Sequence, residues 1–377
     1  MSERVALVLA GGGARGAYEA GALSVLLPAL ETRGERPDIV LGTSVGALNA
    51  AFVAATAHRP AAEVAEQARA IWGGIEYDDV LEPLVSPGSL ARLAGYLGET
   101  FGVPRARAYS VLDPSPLAKT LPEKIDFKQL RRNIDDGALE SAAVVATSAR
   151  TARSVVFHHG GTPDAEHDDK RGIDYVAGVI RMQHVLASAA IPALFGAVEL
   201  YPNDWYADGG TRLNTPIKPA LALGADRVIV VALNSLAPAD FAGRPDVHTG
   251  IGSILQALLT DQLAQDVRTL QTVNELVGDR DEVAGRRPIG HLVVAPERPD
   301  AVGALARTVF AEHYAGAAGA LHHRDIATLG HAVAGGSDAA HGELLSYLFF
   351  ASEFTRALFD LGAADAERRL ASPPFWA

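Results

Sequence analysis

Short apolar runs and longer stretches of helical spacing alternate along the first part of the chain. Val5 to Ala10 is an unbroken apolar run, followed at once by GGGARG at 11–16. A run this short, ended by turn residues, reads as a buried strand. Apolar positions then recur at helical spacing from about Ala14 to Leu30. Asp38 to Leu41 (DIVL) repeats the strand signal and ends in GTSVG at 42–46, after which Ala47 to Ala57 (ALNAAFVAATA) reads as a helix. Strand, glycine turn and helix, twice in succession, predict an α/β fold with a parallel sheet, since parallel neighbours need a crossover helix.

Farther on, residues 60–140 read as helical and turn-like, punctuated by Pro83, Pro87, Pro104, Pro114, Pro116 and Pro122. Strands are expected at Ala142–Thr147, Ser154–His158, Asp204–Ala207, Asp226–Leu233 and Gly290–Ala295. A polar surface loop is expected over Gly160–Gly172 and a helix over Gly178–Ala190, stopped by Pro192. The texture changes after about residue 245. Ile251–Val277 reads as one long helix, and Leu344–Leu361 (LLSYLFFASEFTRALFDL) as one strongly apolar helix. The aromatic residues of that second helix suit either core packing or a lipid interface, and core packing is the expectation. Gly88 to Phe101, amphipathic and glycine-bearing, reads as a lid over a groove. There is no internal repeat.

Composition narrows the classes. A chain of 377 residues can bury a sizeable core without cross-links, and the absence of cysteine removes disulfides, thiol nucleophiles and Cys-ligated zinc. A net charge of −12 excludes nucleic acid as the natural partner and disfavours docking on anionic membranes. Contact with a neutral lipid interface through apolar residues stays open. No run approaches the roughly 18 apolar residues of a membrane span, and the first residues lack the features of a secretory signal. The expectation is a cytoplasmic protein, mature as written, with no transmembrane segment; its oligomeric state is not legible.

The candidate chemistry sits in the glycine turns. In GTSVG a strand ends at Ser44 and turns directly into a helix, with Gly42 and Gly46 removing side chains that would clash in so tight a turn. That is the logic of a nucleophile elbow, which exposes the serine hydroxyl at the positive end of a helix. For GGGARG two readings are open. Gly11, Gly13 and Gly16 match a dinucleotide-binding G-x-G-x-x-G, yet the acidic residue wanted at the end of the second strand is missing, since Asp38 precedes that strand. The favoured reading is an oxyanion hole, in which backbone amides converge on a developing negative charge beside Ser44. A Ser–acid–His order is a poor fit, because Ser44 follows only one strand–helix unit and His158, His159, His184, His322 and His323 offer no obvious base. Asp208, at a strand end and followed by Gly209 and Gly210, is the better candidate, although an Asp-Gly turn is common for purely structural reasons.

Strand-GGGARG, GTSVG and DGG in this order, with ASAAIPALF at 187–195 before the last, resemble the patatin-like phospholipase family over about residues 5–235. The resemblance implies a three-layer α/β/α sandwich with a mainly parallel sheet. It implies a catalytic domain over 5–235 and a mostly helical C-terminal extension over 245–377 packed on it. It also implies a Ser–Asp dyad without histidine: Ser44 as nucleophile, Asp208 as base, and Gly11, Gly12, Gly13, Arg15 and Gly16 forming the oxyanion-hole region, chiefly through backbone N–H groups. The substrates would be acyl esters of lipids, with no metal and no cofactor required. Arg15 could instead pair with a surface carboxylate, face a phosphate headgroup or hold the glycine loop. Two further functions stay open: an acyltransferase using the same acyl-serine, and a lipid-binding or granule-associated protein without turnover.

Overall fold

The computed structural model describes residues 3–84, 86–100, 109–237, 262–278, 282–283, 287–316, 324–334 and 339–377. Its strands are β1 (Val5–Leu9), β2 (Pro37–Thr43), β3 (Ser141–Ser148), β4 (Ser154–Gly160), β5 (His167–Asp168), β6 (Ile173–Ala177), β7 (Val198–Tyr201), β8 (Asp204–Asp208), β9 (Arg227–Val231) and β10 (Gly290–Val294). They form one sheet in the order β10-β9-β1-β2-β3-β4-β6-β5, with β8 pairing β3 and β7. From β10 to β3 every pairing is parallel. The helices are α1 (Gly16–Thr32), α2 (Val45–Thr56), α3 (Ala61–Trp72), α4 (Tyr77–Val80), α5 (Pro87–Thr100), α6 (Ser115–Lys124), α7 (Phe127–Asp135), α8 (Met182–Ser188), α9 (Ile217–Ala222), α10 (Gln262–Val277), α11 (Ala301–His313), α12 (Arg324–Ala334), α13 (Ala339–Leu348) and α14 (Ser352–Leu370).

Strand side chains alternate between two cores. Leu7, Leu9, Val40, Val144 and Ala146 join one cluster, whereas Ala6, Val8, Ile39, Leu41 and Val145 join the other. Both faces are therefore dry, which explains why these strands read as continuous apolar runs rather than as an alternation. The first face is covered by α1, α2, α3 and the C-terminal helices, the second by α9 and α10. The result is the expected three-layer α/β/α sandwich with a helical C-terminal region.

Two expectations are corrected. Leu344–Leu361 is not one helix: α13 ends at Leu348 and α14 starts at Ser352. Ala351 is extended at the break, with φ −140° and ψ 133°. No Gly or Pro marks the break; tertiary packing imposes it, stacking Phe349 on Phe354 with ring centroids 4.9 Å apart. Phe349, Phe350, Phe354 and Phe359 are all buried, so this apolar stretch is core. The helix expected over 178–190 is shorter: Arg181 is extended, at φ −127° and ψ 163°, and only Met182–Ser188 is helical. The expected lid region carries helix α5, and Phe101 lies outside the described residues, as do 251–261 of the long helix and His322–His323. Of the region after 245, β10 adds an edge strand beside β9 and α14 packs along α1.

Candidate active site

The site is assembled by one strand. β2 runs parallel to β3 and pairs with it up to Thr43 opposite Val145, while β8 runs antiparallel to β3 and arrives with Asp208 opposite Ala146. The ends of β2 and β8 thus meet head to head along β3, at adjacent register positions. Ser44 is the next residue after Thr43, so its side chain reaches Asp208 without any loop having to carry either one.

Ser44 has φ 55° and ψ −124°, a conformation that side chains other than glycine rarely adopt. Several neighbours hold it there. A Cβ on Gly42 would run into the Gly46 carbonyl, and one on Gly46 into the carbonyls of Leu9 and Ala10, so the elbow closes only with glycine at both positions. The Ser44 amide donates to Ser188 Oγ at 2.8 Å, and Ser188 Oγ donates to the Val145 carbonyl at 2.6 Å. Thr43 Oγ1 donates to the Leu213 carbonyl at 2.9 Å. Strain at one backbone position costs on the order of 1–3 kcal/mol and persists only where such surroundings over-determine it.

Ser44 Oγ donates to Asp208 Oδ2 at 2.5 Å, and the Gly210 amide donates to Oδ1 at 2.7 Å. Both side chains are buried. Burial pushes the Asp208 carboxyl up to about 6, against the opposing pull of the hydrogen bonds from Ser44 and Gly210. Gly209 packs against the Val145 carbonyl, leaving no room for a side chain in the turn. Among the described residues no histidine hydrogen-bonds either member of the pair.

The turn after β1 lies against this pair: a methyl group on Gly11 would sit 3.0 Å from Ser44 Cβ. Its amides are not equivalent. The Gly11 amide is taken by Asn214, the Arg15 amide donates to the Gly12 carbonyl, and the Gly16 amide donates to the Gly13 carbonyl. The amides of Gly12 and Gly13 have no acceptor among the described residues. Of the five residues expected to form the oxyanion region, these two retain donors. The Arg15 side chain is buried and turned toward the C-terminal helices, where it donates to Ser346 and Glu343.

An apolar pocket opens beside Ser44, lined by Val45, Leu48 and Phe52 of α2, Trp72, Leu121 and Phe350 among others. Positions 45, 48, 49 and 52 all line it, one face of α2 reaching roughly 10 Å from the elbow at 1.5 Å per residue. Asn49 is the polar exception, and its head group is spent: it donates to Glu19 Oε2 and the Gly16 carbonyl and accepts from Trp72 Nε1. Glu19 is wholly buried, and that burial holds its carboxyl well above the ordinary range. Ser188, Asn214 and the pocket walls carry no sequence signal of their own; Ser188 does fall within the segment at 187–195. Among the described residues, no cluster of three His, Asp or Glu side chains offers a metal site.

The family model for patatin-like phospholipase matches residues 7–221. No curated protein matches the chain. Among solved structures it is similar to VipD from Legionella pneumophila, at 15% identity and TM-score 0.31 over 78% of this chain and 62% of that one. It is also similar to human GIVD cytosolic phospholipase A2 solved with methyl gamma-linolenyl fluorophosphonate, at 11% identity and TM-score 0.43 over 98% of this chain and 58% of that one. The chain thus spans about three fifths of the length of these solved chains.

Proposed function

Because the chain belongs to the patatin-like phospholipase family, we propose that it is a lipid acyl hydrolase with Ser44 as nucleophile and Asp208 as its base. The observation that carries this reading is the 2.5 Å hydrogen bond from Ser44 Oγ to Asp208, formed at the head of α2 beside an apolar pocket. In the proposed reaction the Asp208 carboxylate takes the hydroxyl proton as Ser44 Oγ adds to the ester carbonyl carbon. The carbonyl oxygen becomes an oxyanion facing the amides of Gly12 and Gly13. Collapse expels the alcohol, which leaves with the proton from Asp208, and an acyl-Ser44 ester remains. Water then adds to that ester, giving its proton to Asp208, and Ser44 recovers the proton as the fatty acid departs.

A carboxylate near 6 is a stronger base than an ordinary aspartate and still ionised near neutrality, which is the balance general-base catalysis needs. The apolar pocket suits one fatty acyl chain, taken from a lipid during transient contact with an interface. Residues 5–235 are assigned as the catalytic unit, and the helical region over 245–377 as an extension that supplies part of the pocket wall through Tyr347, Leu348 and Phe350.

Hydrolysis of p-nitrophenyl esters tests the assignment. Folded Ser44→Ala and Asp208→Asn should each lose activity at least about a thousandfold. Full activity in Asp208→Asn would give the base role to another group. A wild type inert on every ester, with detergent or lipid present, would favour a binding protein.

A further inference from the structure

We propose that helix α13 sets the position of the glycine turn beside Ser44, through an ion pair between the buried Arg15 and the part-buried Glu343. As a statement about catalysis this rests on the acyl-hydrolase reading; as a statement about the loop it does not. A guanidinium has five N–H donors, and all five of Arg15 are used. Nε donates to Ser346 Oγ at 2.9 Å, Nη2 to the Glu343 carboxylate and to the Glu343 carbonyl at 3.0 Å, and Nη1 to the Leu233 carbonyl and Asn234 Oδ1. The Tyr347 ring closes over the guanidinium carbon at 3.9 Å. Arg15 is 1% exposed. No donor remains for a substrate phosphate, so Arg15 is a positioning residue and not a headgroup ligand.

What it positions follows from the chain. The Arg15 amide holds the Gly12 carbonyl, and Gly12 and Gly13 carry the two uncommitted amides. Gly13, at φ 60°, is pressed so closely on α13 that a Cβ there would run into the Tyr347 carbonyl. The other oxygen of the Glu343 carboxylate accepts from the Gly303 amide at 2.9 Å, which ties α13 to α11. One part-buried carboxylate, more than three hundred residues along the chain, therefore connects the oxyanion turn to two C-terminal helices. The same helix places Tyr347 and Leu348 in the pocket wall. Removing the Glu343 charge leaves the buried Arg15 guanidinium without its counterpart, and the turn must move to solvate it.

The test combines turnover with amide hydrogen exchange. Glu343→Gln keeps the shape and removes the charge; Arg15→Lys keeps the charge but cannot fork across these acceptors. Each should lower kcat about 10–100-fold with KM within about twofold. Each should also speed exchange of the amides over 10–16 while those of β9 keep the wild-type rate. A fall in kcat that only tracks the folded fraction, or wild-type exchange over 10–16, overturns the proposal. If both variants fail to fold, Ser346→Ala removes only the hydroxyl that accepts from Arg15 Nε and donates to the Glu343 carbonyl, leaving both charges in place, and should give the same signature at about fivefold; wild-type kcat and exchange in it count against the proposal. Should wild type be inert while Glu343→Gln still speeds exchange over 10–16, the acyl-hydrolase reading fails and the positioning role stands.

Discussion

At the scale of single residues, the proposed function rests most heavily on Asp208. Its folded value of about 6 lies above the ordinary aspartate value of about 3.9, so the folded chain binds that proton more tightly than the unfolded one. The resulting stabilisation is fully present below about pH 4 and is lost as the pH rises through about 6. Asp208→Asn should therefore be more stable than wild type at about pH 8, by at most about 3 kcal/mol, and no more stable at about pH 4, as urea titrations at the two pH values would read. Activity runs the other way. With ionised Asp208 as the base, kcat/KM should rise to half its plateau at about pH 6, and a profile flat down to about pH 4.5 would remove Asp208 from that role. The strained Ser44 follows the same trade: a buried, ionised carboxylate and a serine at positive φ both cost stability, and both sit where the proposed reaction would use them.

Among elements, α1 and α14 pack closely enough to exclude a side chain at the crossing. A Cβ on Gly21 would run into the Phe359 carbonyl, and one on Gly362 into the Tyr18 carbonyl, so the two helices touch backbone to backbone at reciprocal positions. Tyr18 also donates to the buried Asp365 at 2.8 Å. Gly21→Ala or Gly362→Ala should cost about 2–3 kcal/mol in urea unfolding, because the obstacle is backbone and cannot rotate aside. A cost below about 0.5 kcal/mol would mean that the helices part easily and that this crossing does not anchor the C-terminal region.

Considered whole, the molecule builds its pocket from segments far apart in sequence: α2, α3, α6, the 189–195 segment and the turn after α13. On the proposed function, chain-length preference is therefore set by residues with no part in the chemistry. Leu121→Trp fills pocket volume from α6 and should lower the long-chain to short-chain ratio of kcat/KM about tenfold, with short-chain kcat near wild type. A uniform loss across chain lengths would show that Leu121 does not meet the acyl chain. No helix among the described residues is long and apolar enough to cross a membrane. The exposed Tyr201 and Trp205 lie at the β7–β8 hairpin, not on the apolar C-terminal stretch.

Local signals were enough for an α/β plan with a parallel sheet, for the strand-to-helix turn at Ser44 and for the glycine turns, whereas the three layers followed from the family resemblance. Glycine and proline positions and short apolar runs act within a few residues of themselves, so they can be read without knowing the partner. The weight on Asp208 came from motif order, since Asp-Gly-Gly alone is an ordinary turn. Its approach to Ser44 was decided by the β2–β3 and β3–β8 registers, which no local pattern encodes. The break at Phe349–Ala351 was likewise invisible, because an apolar run satisfies a helix until ring packing demands another path. Arg15 shows the division most clearly. Its place in the glycine turn was plain from the sequence, but its role depended on Glu343, a partner that only folding brings within reach of a hydrogen bond.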